Sequence, residues 1–129
     1  MRFLVAVLLP VVAAAQDLVP DAAQLTHVRA RLAALPEDTL ICSGHEYTAS
    51  NGKFAVTVEP DNPALAERVK LTARARGLGT PTVPSSLELE KATNPFLRAG
   101  DPAVKAALGM SGAADVEVFA HIRAAKDRF

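Results

Sequence analysis

The stretch "LICSGHEYTASN", Leu40 to Asn51, places His45, Glu46, Tyr47 and Thr48 together just after an apolar run and a glycine. Imidazole is a common zinc ligand and a base near neutral pH. A residue leaving the carboxyl end of a core strand faces the usual ligand crevice of an α/β protein. His45 is therefore a candidate metal ligand. The alternative is a structural histidine bonded to a local carbonyl.

A metal centre needs three or four ligands, and the sequence has neither His-x-His nor His-Glu-x-x-His. His27 falls in an expected first helix and His121 in an expected last one. Only Glu117, four residues before His121, offers a second ligand at helical spacing. The residues of this chain alone are not expected to complete a metal centre.

Arg123 and Lys126 form the second feature. At i, i+3 both cations project from one helix face, where they repel unless an anion sits between them. A ligand carboxylate would fit, and the arginine fork suits it. The competing reading is a surface pair between Arg123 and Asp127 at i, i+4.

These groups need elements to hold them. "DAAQLTHVRARLAALP" predicts a helix capped by Asp21, with Leu25, Val28, Leu32 and Leu35 as an inward stripe, stopped by Pro36. "TLICS" predicts a strand buried on both faces, with almost nothing in the chain to pair with it. Cys42 within it reads as an inert thiol, and as the sole cysteine it allows no internal disulfide.

Helical segments follow. Phe54 and Val58 line the first, which ends at Pro60. The next has Asn62 as cap, Pro63 at the first helical position, Leu65 and Val69 inward and Gly77 at its end. Its Arg68, Lys70, Arg74 and Arg76 read as a solvated basic face. "GLGTPTVPSS" is an extended connector. Ser85 with Glu88 reads as a capping box for "SLELEKA". Asp101-Pro102 opens a helix closed by Gly109. Asp115 is expected to cap the last helix, with Val116, Phe119 and Ile122 inward.

The 129 residues suit a domain of ordinary size, and half of them are apolar. Lys+Arg and Asp+Glu both number 14, which removes the electrostatic case for nucleic acid. No run of 18 apolar residues is present, so no membrane span is expected. Residues 1–15 read as a signal-peptide-like leader: Arg2, an apolar centre from Phe3 to Val12, then Ala13-Ala14-Ala15. The alternatives are a buried first strand or a misread start of translation.

"CSGHEYTASNGKFAVTVEPDNPAL", "PTVPSSLELEKATNPFLR" and "IRAAKDRF" resemble glyoxalase II, the hydroxyacylglutathione hydrolases. The resemblance runs from about Leu32 to Phe129. It implies a mainly α fold: a helical C-terminal domain of glyoxalase II type at 50–129. Residues 16–49 would be a remnant, one helix and one strand, of an αββα metallo-β-lactamase-like domain.

The family hydrolyses the thioester of S-D-lactoylglutathione to glutathione and D-lactate, in methylglyoxal detoxification, with two zinc or other divalent ions. By resemblance, His45 matches the family's last metal-ligand histidine. Tyr47 matches a tyrosine that contacts glutathione. Arg123 and Lys126 match the pair that binds its glycine carboxylate. The family's Thr-His-x-His-x-Asp-His motif, its next histidine and its bridging aspartate are absent. The resemblance therefore implies a truncated chain, inactive alone and not holding metal tightly. The alternatives are a non-catalytic binder of glutathione conjugates and a decayed remnant that associates through its unpaired strand edge. The family implies a cytoplasmic location; a working signal at 1–15 would imply export.

Overall fold

The computed structural model describes Phe3, Leu4 and residues 21–129. The leader at 1–15 lies outside the described residues, apart from Phe3 and Leu4. These two form β1 (Phe3–Leu4). The chain continues with α1 (Ala22–Ala33), β2 (Leu40–Ile41), α2 (Thr48–Val58) and α3 (Pro63–Gly77). It ends with β3 (Ser85–Ser86), α4 (Leu87–Thr93), α5 (Pro102–Ala107) and α6 (Asp115–Arg128). The fold is mainly α, as expected.

Local chemistry sets most helix ends. Asp21 Oδ1 accepts the Gln24 amide at 2.8 Å and Gln24 Oε1 accepts the Asp21 amide at 3.0 Å, a reciprocal cap for α1. Asn62 Oδ1 accepts the Leu65 amide at 3.1 Å, and Pro63 opens α3 with its fixed φ. Asp101 caps α5 through the Ala103 amide at 2.8 Å. Just beyond α5, Gly109 takes φ 68°, a left-handed turn that glycine enters at little cost.

Two caps are displaced from their expected residues. Ser86, not Ser85, accepts the Leu89 amide and caps α4. The Ser85 hydroxyl instead donates to Glu90 Oε1 at 2.5 Å. Ala114 occupies the cap position of α6, and Glu117 Oε2 accepts its amide at 2.8 Å. Asp115 is drawn away by two cations, Lys105 Nζ at 2.9 Å and Arg29 Nη2 at 3.1 Å. The two ion pairs outweigh a single capping bond.

The core is helical. Phe54 and Val58 of α2 meet Ala99, Val104 of α5, and Val118, Phe119 and Ile122 of α6. α2 packs on α3, and α1 packs on α6. The α1 stripe is inward only in part: Leu25 packs against this core, and Leu32 and Leu35 are half-buried, but no residue of α1 is fully buried and Val28 is 51% exposed.

The expected buried strand is also corrected. It has two residues, Leu40 and Ile41, both half-buried. It does not lie unpaired: β2 is the middle strand of a three-stranded ribbon, parallel to β1 and antiparallel to β3. The partner came from the connector, whose last residues are Ser85 and Ser86. The ladder continues where the Leu87 amide bonds Thr39 O at 2.8 Å and the Glu88 amide bonds Glu37 O at 3.0 Å. Among the described residues, no helix is long and apolar enough to cross a membrane.

Candidate functional site

Residues 42–47 leave β2 and turn into α2, carrying His45 and Tyr47 past the ribbon. The two rings stack at 4.9 Å with an interplanar angle of 9°. Both side chains face solvent, and Tyr47 is 58% exposed. Ser43 Oγ donates to the His45 carbonyl at 3.0 Å and Ser50 Oγ to the Tyr47 carbonyl at 3.0 Å, which fixes the backbone beneath the rings.

Glu46, between them, points the other way. The Thr82 amide donates to its Oε2 at 3.0 Å, the Thr82 hydroxyl donates to its Oε1, and Arg76 lies at 3.9 Å. The Thr82 hydroxyl does most to hold the Glu46 carboxyl below the usual carboxylate range, with the Thr82 amide and Arg76 assisting. Glu46 thus ties the His45 turn to the 78–84 connector. Sequence reasoning passed over it, because Thr82 lies 36 residues away.

His45, Tyr47, Arg123 and Asp127 border one open groove of about 1160 Å³, with Phe54, Phe96 and Phe119 among its walls. That volume exceeds what a drug-sized ligand needs. The mixture of apolar wall and polar rim suits a ligand with a charged end and a less polar body. Arg123 Nε lies 3.3 Å from Asp127 Oδ1, both well exposed, so this cation is held loosely at the rim. Lys126 stands one turn along α6 from Arg123, outside the groove lining, over the Phe54 ring. The fold therefore brings three of the four candidate residues to one groove and sets the fourth beside it.

The groove floor holds a saturated ion pair. Glu90 Oε1 accepts from Arg68 Nη2 at 2.5 Å, and Oε2 accepts from Asn94 Nδ2 at 2.9 Å. Arg68 Nη1 also donates to Thr93 Oγ1 at 2.6 Å. Arg68 is not part of a solvated face, as its helix pattern suggested; its side chain is largely buried. Burial alone would raise the Glu90 pKa, but the Arg68 hydrogen bond and charge, with Ser85 and Asn94, together hold it below the ordinary value. With its partners filled, this pair braces α3 on α4 and offers nothing to a ligand.

The described residues contain no group of three His, Cys, Asp or Glu side chains able to hold a metal ion. His45 is a lone, accessible imidazole.

A model of the family described as "Hydroxyacylglutathione hydrolase C-terminus" matches residues 46–129, beginning one residue after His45. A hydroxyacylglutathione hydrolase of Ruegeria pomeroyi is 62% identical over 99 residues, 77% of this chain and 39% of that protein. One from Cereibacter sphaeroides is 64% identical over the same shares, and one from Rhodobacter capsulatus is 53% identical over 83% of this chain and 42% of its own length. The chain spans about two fifths of the length of these relatives. A match of this extent over α2 to α6 places the chain in the hydroxyacylglutathione hydrolase C-terminus family.

Proposed function

We propose that this chain forms the glutathione-holding side of a hydroxyacylglutathione hydrolase, whose substrate is a glutathione thioester such as S-D-lactoylglutathione. The observation that carries this reading is the shared groove of His45, Tyr47 and Arg123, with Lys126 on the next turn of α6. Arg123 and Lys126 receive the glycine carboxylate of glutathione, the arginine by its fork and the lysine as a point charge. The Tyr47 ring and hydroxyl lie along the tripeptide.

In this reading the thioester end lies toward His45, which would be one ligand of a zinc or other divalent site. The described residues supply no complete site, so no hydrolytic step is assigned to them. That same observation favours a second reading, in which this chain by itself binds the conjugate without hydrolysing it.

Calorimetric titration of S-D-lactoylglutathione into the 129-residue chain tests the proposal. Saturable binding is expected, and Arg123→Ala weakens it by about tenfold, since a charge-assisted bond is lost. No heat with the native chain, or equal binding by the variant, would sink it. Thioester hydrolysis with and without added zinc separates the two readings. Turnover by this chain alone would overturn the assignment to binding.

A further inference from the structure

Four of the chain's five phenylalanines form a row from the core to the surface. Phe119 lies 5.4 Å from Phe96, Phe96 lies 6.3 Å from Phe54, and Phe54 meets Phe129 edge-on at 5.5 Å. Phe119 and Phe54 are buried, while Phe129 is 62% exposed. Lys126 Nζ sits at the outer end, 5.4 Å from the centroids of both Phe54 and Phe129. The Phe129 amide bonds the Lys126 carbonyl at 3.2 Å, which turns the exposed ring back toward the ammonium.

The two neighbouring ions are handled differently. Arg123 is paired with Asp127, whereas Lys126 has no carboxylate within salt-bridge distance among the described residues. A carboxylate partner would neutralise the ammonium and compete with any incoming anion. Aromatic faces attract a cation through their quadrupole yet carry no net charge. They can restrict a flexible lysine while leaving its charge available. Holding the side chain beforehand also reduces the rotamer entropy lost on binding.

We infer that Phe54 and Phe129 are positioning residues for Lys126, forming an aromatic cradle that aims its ammonium at the anionic end of the ligand. This rests on the proposed role of Lys126 as a carboxylate anchor. It adds a role for an exposed phenylalanine that the packing of the core does not require.

Two measurements on the 129-residue chain test it. The first needs no ligand: the Lys126 ε-methylene resonances are shifted upfield by the currents of the two rings, and Phe129→Leu removes the part of that shift due to Phe129 while the Phe54 part stays. The second is the affinity for S-D-lactoylglutathione. Phe129→Leu weakens it about two- to fivefold, the range for one exposed cation–π contact, and Phe129→Tyr restores it. In a Lys126→Ala background, Phe129→Leu has no further effect, because the ring acts through the lysine.

Native binding with no upfield shift, or with equal affinity in the Phe129→Leu chain, would overturn the cradle and leave the glutathione reading intact. An additive loss in the double variant would do the same, by assigning Phe129 a separate role. An upfield shift without any conjugate binding would remove the glutathione reading and the ligand-directed role of the cradle together. Phe54 is part of the core, so exposed Phe129 carries the test.

Discussion

Arg98 grips Glu59 through two parallel hydrogen bonds, Nε to Oε2 at 2.9 Å and Nη2 to Oε1 at 3.0 Å. The Glu59 side chain is only 6% exposed, and Arg98 Nη2 also reaches Asp101 Oδ2 at 3.0 Å. The Glu59 hydrogen bond does most to hold the Arg98 guanidinium above its ordinary value, with the charges of Glu59 and Asp101 assisting. The pair fastens the end of α2 to the turn before α5. Removing one partner strands a buried charge, so Arg98→Met is expected to cost about 3 kcal/mol. Arg98→Met with Glu59→Leu should recover part of that loss. Urea unfolding of the four members of the cycle checks this; equal losses in the single and double variants would count against a buried-charge penalty.

Glu90 makes stability depend on pH. Its folded pKa lies below its ordinary 4.5, because Arg68, Ser85 and Asn94 together outweigh burial, the largest single influence. A depressed carboxyl pKa stabilises the fold above the unfolded value, and that contribution is lost as pH falls through the folded value. Stability should therefore decline as pH drops below about 4.5. Glu90→Gln should lower stability at pH 7 and flatten the acid decline. Urea midpoints between pH 3 and 7, at roughly the range where carboxylates titrate, measure both effects.

Asn62 performs two tasks with one side chain. Its Oδ1 caps α3, and its Nδ2 donates to the Ala92 carbonyl of α4 at 3.0 Å. Asn62→Ala should cost about 1–2 kcal/mol, the upper part of the range for a lost cap. Asn62→Asp keeps the acceptor and loses the donor, so its cost should be smaller. Thermal unfolding of the two variants tests that order, and equal costs would show that the α4 contact dominates.

Asp127 competes with ligand for Arg123 in the proposed function. Its carboxylate lies 3.3 Å from Arg123 Nε at an exposed site. Asp127→Asn releases the guanidinium and should tighten binding of S-D-lactoylglutathione by about two- to fivefold, the scale of an exposed ion pair. The gain should shrink as salt is raised. Calorimetry at two ionic strengths reads it; weaker binding by the variant would mean that Asp127 orients Arg123 for the ligand.

Gly100 has no room for a side chain. A Cβ there would lie 2.5 Å from Asp115 Oδ2, and Lys105 and Arg29 hold that carboxylate in place. Gly100→Ala should cost about 1–3 kcal/mol, as overpacking does. In a chain that also carries Asp115→Ala the penalty should fall. Denaturant midpoints of the three variants report it.

What the sequence alone determined is local. Asp21, Asn62 and Asp101 cap α1, α3 and α5 because a cap needs only an acceptor and an amide two or three residues on. Phe54 and Val58 were legible as an inward face because their spacing matches one helical turn. His45, Tyr47, Arg123 and Lys126 stood out by type, spacing and resemblance.

Tertiary structure decided the rest. Ser85 and Asp115 looked like caps, yet distant charges and donors claimed them. Arg68 looked solvated until Glu90, 22 residues away, buried it. The short strand acquired one of its neighbours, β3, from a connector with no strand pattern of its own. The groove itself exists only because the His45 turn and α6 lie on the same side of Phe54 and Phe119. Local bonds are encoded within a few residues, whereas the partners of buried charges and the walls of a groove come from segments that meet only when the chain folds.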